Sequence, residues 1–198
     1  AYAIQVDIIS FNTAISACVK KELWEWALAV LSEMREHVLE PDVISYNSAI
    51  TACEKSEQWE RALGMLAEMR QQDMLPDVIT YNAAMSACEK CAQWELVVVM
   101  LGWMTELGLR PDVITYCAAI SACEKGREWV KALELLSAMK QGMLEVDTIA
   151  YSAMTSACGK GGQWGKAVTF LNVMTMDSID INRITYNAAI NACGKGST

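Results

Sequence analysis

The segment Val43–Asp77 reads VISYNSAITACEKSEQWERALGMLAEMRQQDMLPD and contains two apolar stripes separated by a polar break. Tyr46, Ala49, Ile50 and Cys53 fall at i, i+3, i+4 and i+7, the spacing of one buried helix face. After Ser56, Glu57 and Gln58 the pattern restarts with Trp59, Ala62, Leu63, Leu66 and Met69. Two amphipathic helices joined by a few residues make an antiparallel helical hairpin. Ser45, or Thr80 in the equivalent place, is expected to cap the first turn. A Gly followed by Pro-Asp, as in Gly108 to Asp112, is expected to stop the second helix.

The same pattern extends in both directions. An aromatic stands at Phe11, Tyr46, Tyr81, Tyr116, Tyr151 and Tyr186, always 35 residues apart. Trp24, Trp59, Trp94, Trp129 and Trp164 keep that interval, as do Cys18, Cys53, Cys88, Cys123, Cys158 and Cys193. A period of this length means hairpins that bury their faces against one another, with the Tyr, Cys and Trp series in the shared core. The expected fold is all-α: a right-handed α-solenoid of stacked antiparallel helical hairpins. Its units are 8–42, 43–77, 78–112, 113–147 and 148–182, with 1–7 as the tail of a truncated repeat and 183–198 as the first helix of another. The chain thus has the arrangement expected of a fragment, whose ends should be its least stable parts.

Composition narrows the function. Hydrophobic residues make up 53% of the 198, ample for a core, yet no apolar run reaches the roughly 18 residues needed to span a membrane. Six of the eight cysteines occupy one slot of successive hairpins. Packed helices lie about 8–10 Å apart, beyond the roughly 7 Å Cα limit for a disulfide, so reduced, buried thiols are expected. Cys88 and Cys91 form a C-x-x-C without a second pair or a nearby histidine, so no metal site is expected. The one histidine, His37, has no partner in register, and no carboxylate pair, nucleophile-base set or phosphate loop recurs. The chain is therefore expected to be neither an enzyme nor a cofactor carrier.

A second series lies away from the core stripe. At about 100° per residue, Ile44, Asn47, Thr51 and Lys55 fall within an arc of roughly 80° on the first helix. The arc recurs with Ile9, Ile44, Ile79, Ile114, Ile149 and Ile184 at its start, and with Lys20, Lys55, Lys90, Lys125, Lys160 and Lys195 at its end. Lysine at a helix C-terminus also favours the macrodipole, and single surface isoleucines are common. Their alignment suits a single strand, with lysines toward phosphates and flat apolar groups toward base faces. Six lysines at phosphates would give a log-log salt slope of about −4. The balance of 24 acidic to 16 basic residues opposes long-range attraction and favours the alternative, a scaffold that binds a protein or peptide on its concave face.

The 35-residue length, the opening Thr80-Tyr81-Asn82, the Cys-Glu-Lys end of the first helix and the Pro111-Asp112 close resemble the pentatricopeptide repeat family across essentially the whole chain. The resemblance implies sequence-specific binding of single-stranded RNA, one base per repeat. It implies that the fifth and last residues of each repeat select the base: Asn12 with Asp42, Asn47 with Asp77, and Asn82 with Asp112 for uracil, and Ser152 with Asn182 for adenine. Cys117 beside Asp147 departs from the pattern and implies relaxed choice, and Asn187 opens a further unit. The isoleucines would sandwich bases and the lysines approach phosphate. The implied target is 5′-UUU-N-A followed by a pyrimidine. The resemblance also implies RNA metabolism in a mitochondrion or plastid, with any protein partners belonging to the full-length chain.

Overall fold

The computed structural model describes residues 7–196, so residues 1–6 of the expected tail 1–7, residues 197 and 198, and the side chain of Lys195 lie outside it. The described residues form α1 (Ile8–Lys20), α2 (Trp24–Glu36), α3 (Val43–Lys55), α4 (Trp59–Gln71), α5 (Val78–Lys90), α6 (Trp94–Glu106), α7 (Val113–Lys125), α8 (Trp129–Gln141), α9 (Thr148–Lys160), α10 (Trp164–Met176) and α11 (Arg183–Gly196). Helices this short are marginal in isolation, so packing must hold them. They group into two compact units, Ala1–Cys91 and Ala92–Thr198.

In the first unit α3 packs between α1 and α5, while α2 and α4 each lie against the odd helix before and after them. The second unit repeats this with α9 between α7 and α11. Successive even helices meet through side chains: Arg35 on α2 pairs with Glu68 on α4 at 2.5 Å, and Lys166 on α10 lies 4.1 Å from the Trp129 ring on α8. Small side chains let the odd helices approach closely: Ala52, Ala87, Ala122 and Ala157 are fully buried. A Cβ on Gly159 would come within 3.0 Å of the Ala192 Cβ on α11.

The odd helices α1 to α9 begin at an aspartate, and here the expected cap is corrected. Asp42 and Asp77 are extended and stand outside the helix, each accepting the backbone N–H of the residue three places on at 2.8 Å. Ser45 and Thr80 are not caps; their hydroxyls accept back from the aspartate N–H at 3.2 and 3.1 Å, completing a reciprocal capping box. The helix thus starts three residues before the apolar stripe that reveals it.

The tight turn into each even helix is closed through the cysteine slot. The carbonyls of Cys18, Cys53, Cys123 and Cys158 accept from the N–H groups of Leu23, Gln58, Glu128 and Gln163 at 2.8–3.1 Å. At the far end of the even helices, Met34, Met69, Met104, Met139 and Met174 do the same for the residue five places on. All five methionines are fully buried. Both kinds of turn pass through left-handed backbone, taken by glycine at Gly108 and Gly162 but by other residues elsewhere, including Val38 at φ 58° and Arg127 at φ 63°.

Burial separates the repeating series. Tyr46, Tyr81 and Tyr151, with Cys53, Cys88, Cys123 and Cys158, are core. All eight cysteines are reduced thiols. The tryptophans are not core: Trp24, Trp59, Trp94 and Trp129 are half-buried and Trp164 is 50% exposed. Each begins an even helix, and the Trp94 and Trp129 rings cover a neighbouring turn instead. A Cβ on Gly126 would run into the Trp94 ring, and one on Gly161 into Trp129.

Candidate nucleic-acid interface

The second residue of each odd helix points away from the core. Ile9, Ile44, Ile79, Ile114, Ile149 and Ile184 are 62% to 74% exposed. Six aliphatic side chains left in water at the same helical position contribute nothing comparable to a core isoleucine.

Three residues further on, the amides are held in a fixed network. Asn12 donates from Nδ2 to Asp42 Oδ1 at 3.3 Å and accepts at Oδ1 from the Ser45 hydroxyl at 2.6 Å. Asn47 repeats this with Asp77 at 3.3 Å and Thr80 at 2.6 Å. The aspartate that caps one odd helix therefore also holds the amide of the preceding odd helix. Burial raises the Asp42 and Asp77 pKa values, but hydrogen bonds from the backbone and side chain of Ser45 or Thr80 and from the amide outweigh it and hold both carboxyls below the ordinary value. An ionised carboxylate only accepts, which orients the amide nitrogen toward it. One N–H and one carbonyl lone pair of each amide are left for an incoming group. Asn82 and Asp112 are half-buried, and Asp112 caps α7 with Thr115 in the same box.

Two places depart from this arrangement. The Cys117 thiol lies 3.5 Å from Asp147 Oδ1, and its pKa is pushed up to about 12, first by burial and then by the Asp147 charge. Here the following helix carries Ala150, which has only a backbone N–H to offer Asp147, at 2.9 Å. At the other, Ser152 is nearly buried with its hydroxyl 2.5 Å from that of Thr185, which also reaches Asn182 Oδ1 at 2.9 Å. Asn187 is exposed on α11.

The lysines end the odd helices, where the macrodipole favours a cation, and are exposed wherever their side chains are described. They do not form a continuous positive row. Lys90 pairs with Glu54 at 2.6 Å and Lys160 with Glu124 at 2.7 Å, each glutamate also accepting from Ser86 or Ser156. Lys55 has no such acid opposite it, because Val19 stands where Glu54 and Glu124 do. The glutamates belong to the Cys-Glu-Lys run, but the lysine each neutralises is one repeat further on, so adjacency in sequence conceals the pair.

His37 follows the last residue of α2, its ring 6.0 Å from that of Phe11 and tilted 44° to it. Among the described residues no group of three or more His, Cys, Asp or Glu could hold a metal ion, and no helix is long and apolar enough to cross a membrane.

Comparisons with known proteins place the chain. The profile described as "PPR repeat family" matches residues 6–55, 41–90 and 76–125; "PPR repeat" matches 114–142 and "Pentatricopeptide repeat domain" 143–196. Comparison with curated protein sequences returns no match. Among solved structures, the pentatricopeptide repeat protein PPR10 in complex with an 18-nt psaJ RNA element superposes with a TM-score of 0.80 at 24% identity, over 94% of this chain and 28% of that one. The PPR domain of Arabidopsis thaliana protein-only RNase P 1 in complex with tRNA gives 0.78 at 16% identity, over 92% and 96%. Arabidopsis thaliana nuclear protein-only RNase P 2 gives 0.80 at 13%, over 96% and 42%. The chain spans a little over a quarter of the length of PPR10. These likenesses establish the fold as an α-solenoid of helical hairpins, and the profiles running through the sequence establish that the chain belongs to the pentatricopeptide repeat family.

Proposed function

We propose that the chain binds single-stranded RNA sequence-specifically, one base per repeat in the units 8–42, 43–77, 78–112, 113–147 and 148–182, the N-terminus toward the 5′ end. The observation that carries this is the repeated alignment on the odd helices of an exposed isoleucine, an amide fixed by an aspartate, and a terminal lysine. The free N–H and lone pair of Asn12 or Asn47 match the carbonyl oxygen and imino N–H of a uracil edge. The isoleucines supply flat apolar contact to bases, and the lysines supply phosphate contacts, weakened at Lys90 and Lys160 by their glutamates. The RNA-bound relatives named above support the same reading.

The target is 5′-UUU-N-A with a pyrimidine after it, the unspecified base facing Cys117 and Asp147. The role is in mitochondrial or plastid RNA metabolism, without catalysis by these repeats. Because Lys90 and Lys160 are held by glutamates, the salt slope should be shallower than the about −4 of six independent lysines. Fluorescence anisotropy with this RNA, a shuffled RNA and the matching DNA tests the reading, and equal affinity for all three would refute it. Asn82→Thr should alter preference at the third base alone; a uniform loss would instead mark damaged folding.

A further inference from the structure

We infer that the residue three places into the following odd helix, Ser45, Thr80 or Thr185, is a further specificity-determining residue of the unit before it, fixing how the base-facing side chain presents its donor and acceptor. The inference rests on the RNA-reading function proposed above.

The geometry repeats. The Ser45 and Thr80 hydroxyls are fully buried and stand 2.6 Å from the amide oxygens of Asn12 and Asn47. Each hydroxyl has one proton, within reach of both that oxygen and the capping carboxylate at 2.8 Å. The carboxylate already accepts from a backbone N–H and the amide nitrogen. Donation to the amide oxygen therefore satisfies a group that otherwise has no partner in the network. Carboxylate and hydroxyl grip opposite ends of one amide, the first accepting and the second donating. Turning the amide over would set nitrogen against a donor and oxygen against a carboxylate.

Variation within the chain points the same way. Where the base-facing residue is Asn12 or Asn47 the partner slot holds a hydroxyl, and Ser152 meets Thr185. Where it is Cys117, which has no amide to orient, the slot holds Ala150. The aspartate cap survives there without a hydroxyl, accepting from Ala150 N–H at 2.9 Å, so capping alone does not require one.

Uracil offers an acceptor and a donor along its pairing edge, and cytosine offers them reversed. An amide free to turn over loses discrimination between these two bases before it loses affinity for pyrimidines. In this chain, Thr80→Val should lower the preference for uracil over cytosine at the second base by about tenfold, leave the first base unchanged, and be rescued by Thr80→Ser. Because Thr80→Val also removes a cap partner, a gain-of-function pair completes the test. Cys117→Asn together with Ala150→Thr should prefer uracil over cytosine at the fourth base about tenfold more than Cys117→Asn alone. Unchanged discrimination in Thr80→Val while Asn47→Ala abolishes it, or equal discrimination by the single and double Cys117 variants, would overturn the inference. If Asn47→Ala also leaves every base preference intact, the proposed RNA reading fails and this inference fails with it.

Discussion

Replacing Glu124 by Gln should make the chain bind RNA more tightly. Glu124 Oε1 lies 2.7 Å from Lys160 Nζ and accepts from Ser156 Oγ at 2.6 Å, and its side chain is 16% exposed against 40% for the lysine. A phosphate contacting Lys160 from the open side would sit about 6 Å from that carboxylate, the sum of two contacts of about 3 Å. Coulomb repulsion at this separation is about 0.7 kcal/mol in bulk water and about 3 kcal/mol at an effective dielectric of about 20. The exposure of the lysine places the effect toward the lower end, at about 1 kcal/mol, or about fivefold in affinity. Glutamine still accepts from Ser156, and a partly exposed ion pair contributes under about 1 kcal/mol to folding, so stability should scarcely change. Anisotropy titrations from about 50 to about 300 mM salt should show the fivefold gain for every RNA sequence, with a slope steeper by about 0.7. Glu54→Gln should act alike through Lys90, which also donates to the Glu54 carbonyl at 3.2 Å. Unchanged affinity and slope would refute the placing of phosphate at these lysines. Weaker binding would refute it differently, by showing that the glutamate holds the lysine ready for RNA.

Three further outcomes follow from burial and backbone. Val38 is 90% exposed at φ 58°, a conformation costly for a β-branched residue, so Val38→Gly should stabilise the chain by about 0.5–1 kcal/mol in urea unfolding. Asp42 and Asp77 are held below their ordinary pKa, so their stabilisation is complete above about pH 4 and lost as pH falls through the folded-state values; thermal melts between about pH 6 and about pH 2.5 should fall less steeply in Asp42→Asn/Asp77→Asn. Burial raises Cys53, Cys123 and Cys158 to about 11 and Cys88 to about 12, so iodoacetamide at neutral pH should label the half-buried Cys18 and Cys91 first and these four only after denaturant is added, as read by mass spectrometry.

The hairpins were legible because apolar spacing at helical period and the 35-residue interval both derive from packing, which repeats whenever the unit repeats. Tyr46 and Cys53 announced the core correctly for that reason. Trp94 recurs just as faithfully yet is only half-buried, since a ring that covers a neighbouring turn is constrained as tightly as one inside. Ser45 was legible as a residue near a helix start but not in its place, because this capping box has its acid at the cap and its hydroxyl at the third position, the reverse of the more familiar order. The row of isoleucines, amides and lysines could be placed on one arc from angles alone. The neutralisation of Lys90 by Glu54 could not, because it depends on how far one odd helix is offset against the next.

The aspartate that starts an odd helix while gripping the amide of the preceding one determines where such arrays can be cut and rejoined. A cassette exchanged as 43–77 carries Asn47 and Asp77 but leaves Thr80 with its neighbour, so the transplanted specificity would depend on whatever residue it lands beside. Shifting both cuts three residues into the odd helices, to give 46–80, keeps the whole set in one piece and makes the module portable.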